Sequence, residues 1–505
     1  MTRLHTPTEQ RRLVEALAAH LGHPGAPARL IETHISFVLL TGVFAYKIKK
    51  AVDLGFVDYT SLEKRRFFCE EELRLNRRLA TGLYLEALPL YGSPEAPGFE
   101  EGGEPIEWAV KMHEFDQDRL FDRLISANGL SAQQLGSLAE RLAAFHEQAD
   151  RADPVSSYGS SETVWAAVQG ALESLPRSDR IEELEGKYLA DFNRLEEQFS
   201  KRKAEGFVRE CHGDLHLGNL VLQEDGPTGF DGIEFNPELR WIDIMSDLAF
   251  LSMDLTAHGR PDLAFHLLNR WLEETGDYEG LALLRFYETY RALVRAKVAR
   301  LLGNDSRMEA YLDQAEAGLS EMKPALIITH GLSGSGKTTL ARRVSESLKA
   351  ICLRSDVERK RLHGLAPLAR SRSGLETGLY TEAEAQKTYG RLSGLAERAL
   401  DDGYPVIVDA ACLKLWQRDL FKKLARKRSI PFLILDCRAS LSALRKRIGE
   451  RQDDASEATQ AVLELQTRTV EPLNPEEKAL SMEADTSREA IEAILPRITK
   501  RLGSG

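Results

Sequence analysis

The stretch "GLSGSGKTT" at residues 331–339 decides how the second half of this chain folds. The apolar run "ALIITH" precedes it, and Leu340, Val344 and Leu348 follow it at helical spacing. The stretch matches the pattern G-x-x-x-x-G-K-[ST], in which backbone N–H groups and a helix N-terminus surround a polyphosphate. It therefore predicts a P-loop between a buried β-strand and a helix.

A P-loop predicts a site for ATP and Mg²⁺. Lys337 would reach the β- and γ-phosphates, and the Thr338 hydroxyl would bind Mg²⁺. The residues predicted to contact the nucleotide or its metal here are Gly331, Ser333, Gly334, Ser335, Gly336, Lys337, Thr338 and Thr339. The sequence does not distinguish ATP from GTP.

Two further apolar runs, "VIVDA" and "PFLILDC", follow the P-loop and are separated by helical stretches. Short continuous apolar runs of this kind are typical of a parallel sheet that is covered on both faces. We therefore predict an α/β P-loop NTPase domain with a parallel sheet over residues 323–505. Asp409 ends "VIVD" at a Walker-B-like position near the metal, although it could equally cap the next helix.

Charged residues after the P-loop are candidates for catalysis. "CLRSDVERKRL" places Asp356 at the end of a second strand and Arg359 three residues later. A carboxylate there could take the proton of an acceptor hydroxyl, and an arginine could hold the acceptor or the transferring phosphate. Alternatively, Asp356 is a helix N-cap and Arg359 is solvated. "LRKRIGERQD" supplies Arg447 and Arg451, which are either lid arginines that neutralise transition-state charge or surface residues.

The segment from about 324 to 500 resembles the P-loop kinase group that includes polynucleotide-kinase-like and zeta-toxin-like proteins. The resemblance implies transfer of the γ-phosphate of ATP to a hydroxyl group. It also implies that Lys337 and Thr338 hold the phosphates and the metal, that Asp356 is the base and that Arg359 clamps the acceptor.

A second motif, "HGDLHLGN" at residues 212–219, permits two interpretations. On an extended strand His212, Asp214 and His216 would face one way, as metal ligands do. Alternatively, Asp214 followed five residues later by Asn219 is the spacing of a kinase catalytic loop. The next thirty residues contain no HxH or CxxC pair to complete a metal cluster, so the spacing favours the kinase loop.

A kinase site also needs a strand lysine, a helical glutamate and an acidic metal ligand after the catalytic loop. Lys47 in the alternating stretch "FAYKIKK", Glu72 in a predicted helix and Glu234 after a predicted hairpin occupy those places in order. Lys49 shares the strand face with Lys47, and Glu71 neighbours Glu72, so both remain alternatives.

These motifs resemble the aminoglycoside phosphotransferase family. The resemblance implies an α+β, two-lobed protein-kinase-like domain over residues 1–322, with an N-lobe at about 25–115 and a C-lobe at about 116–322. It implies that Asp214 is the catalytic base and that Asn219 binds one Mg²⁺.

One position departs from that family. Where the family usually has Ile-Asp-Phe, this chain has Ile233, Glu234 and Phe235. A glutamate can still bind Mg²⁺ if the metal or the loop shifts. Activity on aminoglycosides is therefore not expected from the resemblance alone.

Composition is that of an ordinary globular protein. Of its residues, 43% are hydrophobic and 29% are charged. A length of 505 residues suggests about three globular units. We find no targeting pattern after Met1 and no apolar window of the roughly 18 residues that a membrane span needs, so a cytoplasmic protein without membrane contact is expected. The five cysteines are an odd number without a CxxC pair, which argues against a disulfide framework or a zinc ribbon.

The net charge of −11 is unevenly distributed. Residues 324–505 contain 31 Lys and Arg against 24 Asp and Glu, a charge of +7, which leaves −18 for residues 1–323. A basic C-terminal part suits an anionic acceptor, and an acidic N-terminal part suits a neutral or cationic one. Arginine clusters without interleaved aromatic residues argue against sequence-specific DNA binding.

The sequence thus predicts two ATP- and Mg²⁺-dependent phosphotransferase modules. The C-terminal module would act on a hydroxyl of a nucleotide, a nucleic acid or a small metabolite, and the N-terminal module on a small hydroxylated molecule. Two alternatives remain open. The N-terminal half could be a pseudokinase that controls its neighbour, because Glu234 departs from the family pattern, or the P-loop half could be an ATPase switch. The oligomeric state is not specified by the sequence.

Overall fold

The computed structural model describes residues 6–22, 28–55, 57–369, 381–450, 455–457 and 459–503. The chain forms two compact units. The first comprises Met1–Asp254 and Tyr290–Tyr311, and the second comprises Leu255–Thr289 and Leu312–Gly505. This division differs from the predicted boundary at 322/323, because Leu255–Thr289 packs with the second unit.

Six antiparallel strands form the main sheet of the first unit. They are β1 (Arg29–Glu32), β2 (Ser36–Leu40), β3 (Phe44–Lys49), β4 (Tyr84–Ser93), β5 (Ala96–Gly98) and β6 (Glu107–His113). Their order is β1-β2-β3-β6-β4-β5, so β3 lies in the interior. Alternation along β3 directs Tyr46 and Ile48 to one face and Lys47 and Lys49 to the other.

Helices cover both faces of this sheet. Helix α1 (Pro7–Leu21) packs Leu17 against Ile48 on one face, and helix α2 (Leu62–Asn76) packs Cys69 on the opposite face. A capping box between Thr6 and Glu9 begins α1. The two lysines of β3 therefore face α2.

The chain after the sheet is largely helical, as its sequence pattern predicts. Its helices are α3 (Phe121–Ser126), α4 (Ala132–Gln148), α5 (Ser161–Glu173), α6 (Asp179–Ala204), α7 (Ile244–Ala257), α8 (Pro261–Thr275), α9 (Leu281–Leu301) and α10 (Asp305–Gly318). Two antiparallel ribbons, β7 (Val208–Glu210) with β10 (Trp241–Asp243) and β8 (Leu220–Gln223) with β9 (Gly226–Gly229), interrupt them. The octet at 212–219 connects β7 to β8.

The second unit is built on a parallel sheet with its own helices. The strands are β11 (Leu326–His330), β12 (Ile351–Arg354), β13 (Val406–Asp409), β14 (Phe432–Arg438) and β15 (Ser481–Asp485). Helix α8 belongs to this unit, and the helices that follow β11 are α11 (Lys337–Leu348), α12 (Ser355–Arg361), α13 (Glu382–Asp401), α14 (Leu415–Arg428), α15 (Leu441–Gly449), α16 (Gln460–Thr469), α17 (Pro475–Ala479) and α18 (Ile491–Gly503).

All five strands run parallel in the order β12-β13-β11-β14-β15, with the P-loop strand β11 at the centre. A core that includes Ile327, Leu340 and Ile407 is fully buried. The predicted fold classes of both halves are confirmed, and β15 is a strand that the sequence analysis did not predict. No described helix is both long enough and apolar enough to cross a membrane.

Candidate functional site

The P-loop is shaped by glycines with positive φ. Gly331, Gly334 and Gly336 have φ values of 141°, 83° and 80°, which L side chains rarely adopt. A Cβ atom on Gly334 would lie 2.8 Å from the carbonyl oxygen of Leu444. The Ser335 hydroxyl is buried and has no hydrogen-bond partner among the residues that the structure describes. The loop is thus a narrow backbone cradle of the kind that holds phosphate groups.

Lys337 and Thr338 begin α11 at this cradle. Lys337 Nζ donates to the carbonyl of Leu332 at 2.8 Å. The Thr338 side chain lies close enough to influence Asp409, which ends β13 beside the P-loop strand. Burial raises the pKa of Asp409, against the opposing effect of the Arg354 guanidinium. Hydroxyl and carboxylate oxygens are ligands that Mg²⁺ prefers, so the predicted pair of Thr338 and Asp409 fits this metal.

A cavity of about 370 Å³ opens beside the P-loop. The P-loop residues line one part of it, and Asp356, Arg359 and Tyr389 line another. Arg359 Nη1 donates to Asp356 Oδ1 at 2.7 Å. Asp356 lies in the first turn of α12, whose N-cap is Arg354, so it does not cap this helix. The structure therefore brings the predicted base and acceptor clamp into one cavity with the phosphate-binding residues.

Of the two predicted lid arginines, the structure describes Arg447 and does not describe Arg451. Arg447 lines the cavity, and its guanidinium donates to the carbonyl of Gly334 at 3.2 Å and to the Thr486 hydroxyl at 2.9 Å. It therefore braces the P-loop from α15. Arg451 lies outside the described residues, so its role stays a prediction.

In the first unit, the octet forms a loop around Asp214. The Asn219 side-chain amide donates to Asp214 Oδ2 at 2.8 Å and to its backbone carbonyl at 3.0 Å, which leaves the amide oxygen for a metal. His216 accepts from the backbone N–H of Gly218 at 3.0 Å. Burial opposes ionisation of Asp214, but the adjacent His216 holds the pKa of this carboxyl well below its usual range. Asp214 is therefore an ionised base candidate at neutral pH.

Asp247 on α7 braces this loop from behind. Its carboxylate accepts the backbone N–H groups of His212 at 3.1 Å and Gly213 at 2.9 Å, and it contacts His146 at 3.2 Å. The His212 ring in turn contacts the carbonyl of Phe230 at 2.9 Å. The histidines of the octet thus shape the loop through hydrogen bonds, which is the kinase-loop interpretation.

A buried group of metal-ligating side chains lies nearby, formed by His146, Cys211 and Asp247, with ligand atoms within 4.8 Å of one another. Both Asp247 oxygens already accept hydrogen bonds from the loop. Burial also raises the pKa of the Cys211 thiol well above its usual range, so the thiol is protonated at neutral pH. Within this group, Asp247 braces the loop at residues 212–219.

Lys47 and Lys49 both contact Glu72. Lys47 Nζ lies 2.9 Å from Glu72 Oε1, and Lys49 Nζ lies 2.7 Å from Oε2. Burial opposes ionisation of Glu72, but the two lysines lower its pKa to about 2. Lys47 also pairs with Asp231, whose side chain is 43% exposed, whereas Lys49 is fully buried. Lys47 is therefore the lysine at the open side of the site.

Neither Glu234 nor Glu71 forms an ion pair with Lys47, whose carboxylate partners are Glu72 and Asp231. The Glu234 side chain is only 4% exposed and is hydrogen bonded by Lys49 and by the hydroxyl of Tyr59. Glu71 pairs with arginines instead, at 2.7 and 2.9 Å. Magnesium binding by Glu234 stays a prediction, and its burial disfavours that role because both hydrogen-bond partners would have to release it.

Asp231 is the residue that the sequence analysis missed. It follows β9 in "FDG", twelve residues after Asn219, where an acidic metal ligand is expected. The sequence offers both acidic residues after the hairpin, and the stretch Ile233-Glu234-Phe235 resembles the family's Ile-Asp-Phe except for its glutamate, so the role was assigned to Glu234. Asp231 has a positive φ of 62°, which directs its backbone N–H to the Tyr84 hydroxyl at 3.0 Å.

Two family models match the chain. The model of the phosphotransferase enzyme family matches residues 68–284, and an AAA domain model matches residues 326–473. The first match contains Glu72, Asp214 and Asn219, and the second contains the P-loop. These matches support phosphotransferase chemistry and nucleotide binding, and they confirm both family resemblances.

Relatives cover most of the chain. Uncharacterized proteins of Mycobacterium bovis and Mycobacterium tuberculosis are 30% identical over 441 residues, which is 85% of this chain and 87% of each relative. Among solved structures, a choline/ethanolamine kinase family protein from Mesorhizobium loti is 12% identical, covering 62% of this chain and 95% of its own, with a TM-score of 0.35. A sugar kinase from Janibacter is 22% identical, covering 36% and 95% respectively, with a TM-score of 0.29.

Proposed function

We propose that this chain, which belongs to one family with those mycobacterial proteins, is an ATP- and Mg²⁺-dependent phosphotransferase with two active sites. It joins a phosphotransferase enzyme family domain to an AAA domain. The C-terminal site transfers the γ-phosphate to a hydroxyl of a nucleotide, a nucleic acid or a small metabolite. The N-terminal site transfers it to a small hydroxylated molecule. The observation that carries the proposal is the cavity that holds the P-loop together with Asp356 and Arg359.

At the C-terminal site the P-loop amides hold the phosphates. Lys337 exchanges its contact with the Leu332 carbonyl for the β- and γ-phosphates. Thr338 and Asp409 hold Mg²⁺, which neutralises charge on the phosphate oxygens when bound. Asp356 accepts the proton of the acceptor hydroxyl, and Arg359, already paired with it, holds the acceptor in line. The +7 charge of residues 324–505 favours an anionic acceptor.

At the N-terminal site Asp214 is the base and Asn219 is one metal ligand. We assign the acidic metal ligand to Asp231 in place of Glu234, because Asp231 is partly exposed beside Lys47 while Glu234 is buried. Carboxylate and amide oxygens are suitable ligands for Mg²⁺. The reason to consider a pseudokinase was the lack of an aspartate at position 234, and Asp231 supplies that carboxylate. The placement therefore supports an active site over a pseudokinase.

Transfer of radiolabelled γ-phosphate to pools of nucleosides, oligonucleotides, sugars and aminoglycosides tests the proposal. We expect Asp356→Asn to reduce labelling of one class of acceptor, and Asp214→Asn of another, by roughly 10²- to 10⁴-fold, as for loss of a general base. Asp225→Asn is the matched control for Asp214, because Asp225 pairs with Arg141 on the surface of the same unit.

Each alternative gives a different result. If ATP is hydrolysed undiminished by Asp356→Asn and no acceptor is labelled, the P-loop half is an ATPase switch. If Asp214→Asn leaves every labelled product unchanged while Lys337→Met abolishes them all, the N-terminal half is a pseudokinase.

A further inference from the structure

Helix α8 packs against the P-loop helix and the edge strand of the second unit, although it precedes the P-loop in the chain by some sixty residues. The Asn269 side chain on α8 hydrogen bonds to two backbone groups at the start of the edge strand β12. Its side-chain amide donates to the carbonyl of Ala350 at 3.0 Å, and its oxygen accepts the N–H of Cys352 at 2.7 Å. His266 contacts Glu346 of α11 at 2.8 Å. These contacts fix α8 on the sheet.

Glu273, near the end of α8, is a buried carboxylate that contacts three arginines. Its side chain is 2% exposed. Arg354 Nη1 lies 3.2 Å from Glu273 Oε2, and Arg342 Nη2 lies 4.0 Å from the same oxygen. Arg270, one turn earlier on α8, donates to it as well. Of these three guanidinium groups only that of Arg354 is fully buried, because Arg270 is 14% and Arg342 39% exposed.

Arg354 is shared between two carboxylates. At the end of β12 its Nη1 faces Glu273, and its Nε lies 3.5 Å from Oδ2 of Asp409 at the end of the adjacent β13. Arg354 and Asp409 are both buried, at 3% and 6% exposure. Glu273 therefore engages the Nη1 end of the guanidinium, while only Nε faces Asp409, at the longer distance. This leaves Asp409 with the hydroxyl of Thr338 on the side of the P-loop.

We propose that Glu273 is a positioning residue of the P-loop site, which holds the Nη1 end of Arg354, keeps the guanidinium from forming a bidentate pair with Asp409 and so leaves that carboxylate available for Mg²⁺. The inference rests on the proposed function of the P-loop site. A buried guanidinium that loses one carboxylate partner moves toward the other, and a bidentate Arg354–Asp409 pair would compete with the metal for the same oxygens.

The proposed support for the P-loop site comes from outside the segment that matches the AAA domain model. Glu273 lies inside the stretch that matches the phosphotransferase enzyme family, residues 68–284, and outside the AAA match at 326–473. The nucleotide site of the second unit therefore takes a supporting residue from a segment that the family models assign to the other domain. A P-loop relative that lacks such a segment would need another anion to occupy Arg354.

The test measures affinity for a fluorescent ATP analogue on the full chain as a function of Mg²⁺ concentration. Lys47→Met is present throughout, so that the P-loop site reports alone. We expect Glu273→Gln to raise the Mg²⁺ concentration for half-maximal binding roughly tenfold, the size typical for loss of an outer partner of a metal ligand. Affinity without metal should stay unchanged, because the P-loop itself is intact.

A second variant separates positioning from general packing. In Glu273→Gln with Arg354→Met the competing guanidinium is gone, so the Mg²⁺ requirement should return toward that of the unmodified site. Glu279→Gln is the matched control, because Glu279 forms an ion pair with Arg398 in the same unit and does not line the cavity. It should leave both affinities unchanged.

Three results would overturn the inference. The Mg²⁺ requirement could be unchanged in Glu273→Gln, the affinities with and without metal could fall equally, or the double variant could be worse than the single one. The last two indicate a purely structural role. If the starting protein binds no nucleotide and Lys337→Met changes nothing, the proposed function itself fails, and this inference fails with it.

Discussion

Glu234→Ala should destabilise the first unit by about 3 to 4 kcal/mol, because it leaves a buried lysine and a buried hydroxyl without their shared partner. Lys49 and Tyr59 are both fully buried, and Glu234 is 4% exposed. Removing one member of a buried ion pair costs about 3–5 kcal/mol. Lys49 keeps Glu72 at 2.7 Å, which places this cost near the lower end of that range. The unsatisfied Tyr59 hydroxyl adds about 1 kcal/mol.

Asp231→Ala should show the reverse balance, with little loss of stability and a complete loss of transfer. Its side chain is 43% exposed, so losing its pair with Lys47 should cost less than about 1 kcal/mol. The same substitution should abolish transfer by the first site, because Asp231 is the proposed metal ligand. Urea unfolding of the full chain, followed by tryptophan fluorescence, measures stability, and labelled-phosphate transfer measures activity.

The opposite pattern of stability and transfer would identify Glu234 as the metal ligand. If Glu234→Ala unfolds at the unmodified urea midpoint and loses transfer, while Asp231→Ala keeps transfer, then Glu234 is the metal ligand. Glu234→Gln, which keeps the side-chain shape, should lie between the unmodified protein and Glu234→Ala in stability.

Three further predictions follow from local geometry. Gly334→Ala places a methyl group 2.8 Å from the Leu444 carbonyl at a φ of 83°, so we expect weaker binding of a fluorescent nucleotide and a stability loss of about 1–3 kcal/mol. The pKa of Glu72 is lowered from 4.5 to about 2, so its contribution to stability is present above pH 4.5 and is lost as the pH falls toward 2. Glu72→Gln should therefore remove part of the acid dependence of the urea midpoint. Asn269→Ala leaves two backbone groups near β12 unpaired and should lower stability by about 2–3 kcal/mol in urea unfolding.

One result would contradict each of these three predictions. Unchanged nucleotide affinity in Gly334→Ala would mean that the loop does not bind phosphate in this conformation. An identical acid profile for Glu72→Gln would mean that the two lysines do not hold Glu72 ionised. An unaltered urea midpoint for Asn269→Ala would mean that α8 does not support the edge strand in solution. Gly390→Ala, at a helical glycine with open space around it, is the control for the first.

Local motifs could be predicted from the sequence because their geometry is set by neighbouring residues. The P-loop needs only a buried strand, glycines and a helix start, all within residues 326–348, and the structure places them so. Asp214 and Asn219 are likewise five residues apart and hydrogen bonded directly. Lys47 and Glu72 were assigned by order along the chain, and their contact at 2.9 Å agrees with that order.

Features that depend on distant contacts could not be predicted. Asp231 pairs with a lysine 184 residues away, and nothing in "FDGIEF" says which of its two acidic residues turns toward that lysine. Glu234 is held inside by hydrogen bonds from the buried Lys49 and Tyr59, whereas Asp231, with a positive φ, stays partly exposed. The packing of α8 within the second unit could not be predicted either, because an amphipathic helix does not specify the surface that buries it.

The number of nucleotides bound per chain shows whether one chain holds two separate ATP sites. Equilibrium binding of ATP with Mg²⁺ should give two per chain for the unmodified protein, one for Lys47→Met, one for Lys337→Met and none when both are changed. A single nucleotide per chain in the unmodified protein, abolished by Lys337→Met and untouched by Lys47→Met, would contradict the account.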